Sequence, residues 1–291
     1  MWGKSRLGKV GKKANLIAIM ASVPKKVLTR LADGIKRFQP IIQAAKARDA
    51  GESDTVTIIT DCLTELFGYD KYSEVTSEHA IRGTYVDLAV KVDDKLLFLI
   101  ECKAIGLTLT DKHLKQAVDY AANKGVDWVV LTNGHIWRIY KVSFTKPINQ
   151  ELIAEVDFLS INHKKEEELE RLFVLCKEGW QKSAIQDLYG QSQMLSRYTI
   201  GAAILSEPVL EAVRRELRKA FPDAGLVDVE VISSILSDEV MRREVLEGDN
   251  ALQASKKLAR GVARNLKQKS EKKEDAGSPP PASGDASSAQ A

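Results

Sequence analysis

Cysteine is scarce. Cys62, Cys102 and Cys176 stand far apart in a chain of 291 residues, an odd count at wide spacing. That argues against a disulfide framework and a cysteine zinc site, and it fits a reducing compartment such as the cytoplasm. The four histidines, His79, His113, His135 and His163, are scattered and show no zincin spacing. The sequence has no Gly-x-Ser-x-Gly elbow, no dinucleotide fingerprint and no Gly-x-x-x-x-Gly-Lys-Ser/Thr phosphate loop. Serine-hydrolase, nucleotide-cofactor and motor chemistries therefore have nothing to stand on. No apolar run approaches the length of a membrane span, so no membrane partner is expected. Ala14–Met20 follows basic residues but is short and runs directly into an amphipathic stretch, so it is not read as a signal peptide. Met20 stands as an alternative start, which would make residues 1–19 an extension.

Acid is missing from particular places. Net charge is only +3, yet residues 1–48 hold twelve Lys or Arg against one acid, Asp33. Residues 256–273 hold eight against one, Glu271. Basic ends suit a polyanion such as nucleic acid, and Lys25, Lys26, Arg30, Lys36 and Arg37 are the candidate contacts. The plain alternative for any one charged stretch is a solvated helix surface. Apolar residues make up 44% and charged residues 29%, a balance that allows a buried core.

Periodicity gives the order of elements. Val27, Leu31, Ile35, Phe38 and Ile41-Ile42 recur at helical spacing over Pro24–Ala50. A second helix is predicted over Glu52–Phe67, closed by Gly68. Strand-like runs follow at Tyr85–Val92 and Leu96–Lys103, joined by Asp93-Asp94 in a hairpin-type connection. A helix capped by Asp111 runs to Asn123, with Gly125 at its C-terminal end. Trp128–Leu131 and Ile136–Val142 flank Asn133-Gly134, a strong hairpin signal, and Leu152–Leu159 is a further strand. From Lys164 the pattern is helical, over Glu166–Glu178, Trp180–Ser196, Pro208–Ala220, Val227–Leu246 and Ala251–Lys267. Residues 270–291 are rich in Pro, Ser, Gly and Ala and are expected to be disordered. The predicted class is α/β or α+β, a mixed sheet of four or five strands flanked by helices. The expected domains are a basic extension at 1–23, a core domain at 24–162, a helical accessory region at 163–268 and a tail at 269–291.

One constellation carries chemistry. In Leu97–Lys103, strand alternation turns Glu101 and Lys103 to one face and Ile100 and Cys102 to the other. Two opposite charges ending an apolar strand need a reason. On the preceding strand Asp87 lies opposite to the Val86, Leu88, Val90 face. Antiparallel pairing about Asp93-Asp94 brings Asp87 close to Glu101, where two carboxylates repel unless a cation intervenes. Hard oxygen ligands suit magnesium. The plain alternative is a salt bridge between Lys103 and one carboxylate at a sheet edge.

The chain resembles the PD-(D/E)xK nuclease superfamily, and more closely the N-terminal nuclease domain of type I restriction enzyme R subunits. The resemblance is carried by Val86-Asp87-Leu88-Ala89, Phe98–Ala104, Gln116–Ala121 and Trp128–Gly134, in the family's order and over about residues 50–142. It implies a restriction-endonuclease-like core and magnesium-dependent hydrolysis of phosphodiesters, with DNA as the substrate class and manganese able to substitute. It implies that Asp87 and Glu101 bind metal, with the main-chain carbonyl near Cys102 as a further ligand. Lys103 would orient the attacking water and stabilise charge on phosphorus. Gln116, one turn from Tyr120, would position water or phosphate, its alternative being a surface amide. The family's glutamate on the preceding helix is best matched by Glu52, with Glu65, Glu74 and Glu78 as rivals, and with helix-dipole complementation as Glu52's alternative role. His113 lies three residues before Gln116 and is expected to face solvent or border the site.

Two departures qualify the resemblance. R subunits carry a large ATP-driven motor, whereas this sequence has no phosphate loop and no length for one, so no complete translocating subunit is expected. Val86 stands where the superfamily's proline often precedes the aspartate. The rival reading is a nucleic-acid-binding or assembly module that keeps the fold and does not cut. The C-terminal helices are the candidate surface for a homodimer or partner subunit.

Overall fold

The computed structural model describes residues 23–81, 84–144 and 147–275. Met20, most of the basic extension and residues 276–291 lie outside the described residues. The chain divides into two compact units that meet between Ser192 and Gln193.

The first unit is built on a six-stranded mixed sheet in the order β1-β2-β3-β4-β5-β6. The strands are β1 (Val75–Ile81), β2 (Thr84–Val92), β3 (Lys95–Cys102), β4 (Trp128–Thr132), β5 (Ile136–Ser143) and β6 (Asn149–Asp157). All neighbours pair antiparallel except β3 and β4, which are parallel. A parallel pair needs a crossover, and it is supplied by a 3-10 turn at Asp111–Leu114 leading into α3 (Lys115–Lys124). The sheet exceeds the expected size because β1, an edge strand with mixed polarity, has no clean alternation to reveal it. Residues 93 and 94 form the expected two-residue turn, with φ of 50° at Asp93 and 58° at Asp94. Positive φ at both central positions defines the turn whose twist matches a hairpin, and Asp tolerates it.

Two apolar layers cover the sheet. On one face, α1 (Lys25–Ala47) inserts Val27, Leu31, Ile35, Phe38 and Ile42, and α2 (Glu52–Asp61) continues through a π turn at Cys62–Leu66. The same core takes in Phe98, Ile100, Val130, Trp137 and Ile139 from the strands. On the other face α3 packs Leu114, Ala117, Val118, Tyr120 and Ala121 against Ala89, Leu99, Val129 and Leu131. Burial on both faces explains why β4 and the end of β3 read as continuous apolar runs rather than alternations.

Three short helices, α4 (Glu166–Glu170), α5 (Lys177–Gln181) and α6 (Ala184–Met194), complete the first unit. Leu169, Leu172, Phe173, Trp180, Ile185 and Leu188 belong to the same core as α1. Residues 163–192, expected in the accessory region, thus fold with the sheet. The single helix expected over Glu166–Glu178 is broken by a 3-10 turn at Phe173–Leu175. There the backbone folds so closely that a Cβ on Gly179 would lie 1.9 Å from the Phe173 carbonyl oxygen. The three cysteines are buried free thiols.

The second unit is helical: α7 (Arg197–Ile204), α8 (Glu207–Ala220), α9 (Val229–Ile235) with a π turn to Val240, α10 (Arg243–Leu246) and α11 (Asp249–Asp275). Helix α7 was not anticipated, and α11 runs beyond its expected end at Lys267. No described helix is long and apolar enough to cross a membrane.

Candidate active site

The site sits where β2 and β3 separate. Their register pairs Leu88 with Ile100, so Asp87 stands one step further on, level with Glu101. The Cys102 N–H donates to Asp87 Oδ2 at 2.7 Å, so the carboxylate occupies the position that a strand neighbour would have filled. That bond fixes the Asp87 rotamer. On its other side β3 stays bound to β4, since the Lys103 N–H donates to the Thr132 carbonyl at 2.8 Å. Asp87, Glu101 and Lys103 share the sheet face covered by α3, at the carboxyl ends of the two parallel strands. In open α/β sheets that is where ligands gather.

Glu101 is only 6% exposed. Its ion pair is with Lys103, whose Nζ donates to Oε1 at 2.7 Å. Burial pushes the Glu101 carboxyl above its usual range, the Lys103 hydrogen bond opposes this, and the Asp87 charge reinforces it. Burial works against the Lys103 ammonium, but the Glu101 bond and the charges of Glu101, Glu52 and Asp87 outweigh it, so its pKa is raised. Lys103 is therefore a fixed cation. Glu52, at the start of α2, brings Oε2 to 3.6 Å from the same Nζ. Glu101 and Glu52 thus pair with one ammonium, and the Asp87 charge acts on both Glu101 and Lys103 without an ion pair of its own among the described residues.

That donor set fits one hard divalent cation held mainly by two carboxylates. Asp87 and Glu101 lie on neighbouring strands, and the main chain at Cys102 lies between them. Among the described residues no three His, Cys, Asp or Glu side chains converge closely enough to enclose an ion by themselves. Glu52 therefore stands beside Lys103 rather than in a closed cage. Magnesium commonly keeps several waters and takes only one or two carboxylates from the protein.

The rival glutamates are engaged elsewhere. Glu65 pairs with Arg37, and Glu74 pairs with Lys177 at 2.6 Å, while the Glu78 side chain is outside the described residues. Gln116 is exposed in the first turn of α3, the helix over the site face, whereas Tyr120 is buried beneath it. His113 has a structural role, since its Nδ1 accepts from the Thr110 N–H and completes a capping box. Trp128 and Trp137 are core residues.

Of the basic candidates on α1, Lys25, Lys26 and Lys36 are exposed. Arg30 serves the fold. Its guanidinium holds both Glu178 oxygens, at 2.7 and 2.6 Å, and donates to the carbonyls of Leu66 and Phe67. Gly68, at φ 85°, admits this approach, because a Cβ there would lie 2.8 Å from the guanidinium.

One contributor escaped the sequence. Asn133, 2% exposed, donates from Nδ2 to the Leu107 carbonyl at 2.9 Å and accepts the Ile136 N–H at Oδ1. It clamps the loop that follows Lys103 against the β4–β5 turn. The Asn-Gly pair signals a turn, but nothing in it announces a partner 26 residues away.

A mixed sheet with two carboxylates and a lysine gathered at the parting of two strands, and a crossover helix behind them, has the restriction-endonuclease-like architecture. The family model described as type I restriction enzyme R protein N terminus matches residues 58–157, the family to which the four motifs point. The match spans all six strands and α3 and ends before α4. No curated protein and no solved structure matches the chain.

Proposed function

We propose that the first unit is a magnesium-dependent nuclease that hydrolyses phosphodiester bonds in DNA, and that it acts in the cytoplasm as an R-subunit-like nuclease domain. The observation that carries this reading is the Asp87–Glu101–Lys103 group: Glu101 and Glu52 both pair with the Lys103 ammonium, and Asp87 stands level with Glu101 on the neighbouring strand. A plain salt bridge needs one carboxylate, not two with a third beside them.

A magnesium ion, or manganese in its place, would be held by Asp87 and Glu101 with the Cys102 carbonyl, and would supply charge neutralisation at phosphorus and a more acidic water. Asp87 is kept in its ligating rotamer by the Cys102 N–H. Lys103 presents its ammonium to the phosphate oxygens, where negative charge develops in the transition state, and orients the attacking water. Gln116 positions water or phosphate from α3. The water oxygen bonds to phosphorus, the P–O bond to the leaving oxygen breaks in line with it, and the leaving oxygen departs with a proton. No covalent enzyme intermediate forms.

The second reading, a module that keeps this fold and does not cut, draws on the close Lys103–Glu101 pair, which neutralises part of the site without an ion. The purified chain should be incubated with duplex, single-stranded and branched DNA in magnesium, manganese or chelator. Cleavage in either metal, absent in chelator and lost in Asp87→Ala and Glu101→Ala, is expected. Cleavage that persists in both variants, or no cleavage of any substrate, would overturn the proposal.

A further inference from the structure

The arginines of α1 and α8 are employed differently, while Lys25, Lys26 and Lys36 of α1 are exposed without an ion pair among the described residues. On α1 the arginines serve the fold: Arg30 binds Glu178 and Arg37 binds Glu65. Lys46 lies 3.4 Å from His135, and Arg48, just beyond the helix, pairs with Asp54 at 3.4 Å. In the second unit bases and acids are equal in number, fifteen of each over residues 193–291, but they are segregated. Residues 223–249 carry eight acids and two bases, while α8 and α11 carry the excess of base.

On α8, Arg215, Arg218 and Lys219 fall on one face away from Leu210, Val213 and Leu217, and Arg214 lies at its border with the apolar side. With Glu211 they line a shallow concavity of about 390 Å³. Arg214 pairs with Glu211 and Lys219 with Glu216, but Arg215 and Arg218 have no ion pair among the described residues. On α11, Lys256, Lys257, Arg260 and Arg264 likewise fall on one exposed face without an ion pair among the described residues. A protein does not gain stability by crowding unpaired like charges on a helix face, because each such pair is destabilising. A polyanion repays that repulsion.

We propose that the cationic faces of α8 and α11 hold the phosphate backbone of duplex DNA, and that this surface, rather than α1, supplies the chain's sequence-independent affinity. This rests on the nuclease reading of the first unit, which makes nucleic acid the polyanion. Arginine predominates on α8, and its planar fork matches phosphate oxygens bidentately. The nuclease reading favours nucleic acid over an anionic membrane, the other polyanion such a face could meet; Val209 and Leu217 are exposed, at 38% and 43%, so lipid binding is an outcome of the test.

The test uses the full chain in chelator, so that binding is measured apart from cutting. Affinity for a duplex is titrated across salt concentrations for wild type, Arg215→Glu/Arg218→Glu, Lys257→Glu/Arg260→Glu and Lys25→Glu/Lys26→Glu. Each pair in the second unit should weaken binding about tenfold or more and lower the salt slope by about two, since each lost phosphate contact removes about one from it. The α1 pair should change both far less. Circular dichroism checks folding, and Arg215→Ala/Arg218→Ala should give a smaller loss in the same direction. Unchanged affinity and slope in both second-unit variants would overturn the proposal, as would a large loss confined to the α1 pair. Tight binding to phosphatidylserine vesicles with no binding to duplex would also overturn it. Strong second-unit binding by a chain that never cuts would leave this surface standing and remove only the catalytic reading.

Discussion

The two units spend their side chains in opposite ways. The first buries Phe98, stacked on Trp180 at 4.8 Å, together with Trp137, Phe67 and Phe158, and it draws charges inward with them: Glu101, Lys103, Arg30 and Glu178. In the second unit the described buried apolar side chains are Leu210, Ile232, Ala251 and Ala254, and its charges face water. A charge drawn inward needs a partner, and that need gives it a fixed position and a shifted pKa. Position and pKa are what chemistry requires, whereas a solvated charge offers long-range attraction and little geometry. The contrast assigns the proposed catalysis and the proposed adhesion to different units.

The comparison breaks most readily at the core. Phe98→Ala removes a ring from between Trp180 and Tyr69 and should destabilise the first unit by about 3–5 kcal/mol, whereas Leu210→Ala should cost the second unit about 2 kcal/mol or less. Urea unfolding followed by tryptophan fluorescence for the first unit and by helical circular dichroism for the second measures both. Equal losses would show that the two units do not differ in core strength.

Lys103→Ala sharpens the division of labour. Cleavage should fall by roughly 10²-fold or more, because the lost group acts on charge that develops in the transition state. Magnesium should still bind in a calorimetric titration, and duplex affinity should scarcely change. The charge reversals on α8 and α11 should do the opposite, weakening duplex affinity most. A Lys103→Ala protein that melts early yet cuts at the wild-type rate would reduce this lysine to a structural partner of Glu101.

A smaller effect than at Phe98 is expected at Arg30. Arg30→Ala should cost about 2 kcal/mol, because it strands a part-buried carboxylate and two helix-end carbonyls. Burial works upward on Glu178, but the Arg30 bond outweighs it and holds the carboxyl below its ordinary value of 4.5. A depressed carboxylate contributes stability that is fully present above the unfolded value and is lost as pH falls through the folded one. The wild type should therefore lose part of its stability on acidification below pH 4.5, and Arg30→Ala should lose less over the same range. Melting curves collected across that window test the sign. An identical acid dependence in both proteins would detach Arg30 from Glu178.

Much was legible because it is local. The Asp93-Asp94 turn, the Gly125 cap at φ 68°, the α1 stripe and the Asp87 and Glu101-x-Lys103 spacing each depend on residues near in sequence. The family match over residues 58–157 agrees with motifs that could be read without a structure. What stayed hidden depends on distant partners. Strand β1 is an edge whose mixed polarity leaves no period-2 signal. Helices α4 to α6 read as part of a separate helical region, because periodicity reports which face is apolar and not what covers it. Arg30 and Lys25 look alike as exposed bases on a helix, yet one meets Glu178, 148 residues away, and the other meets solvent.

The sequence by itself therefore determined the types of most elements, the hairpin register at the site and the three side chains that carry the proposed chemistry, since backbone dihedrals and side-chain alternation are set over a few residues. Tertiary structure alone decided which carboxylates crowd Lys103, how deeply Glu101 is buried, that Asn133 clamps the neighbouring loop, and which cations remain unpaired for a ligand. Those are properties of distance and desolvation between segments remote in the chain, and no local pattern encodes them.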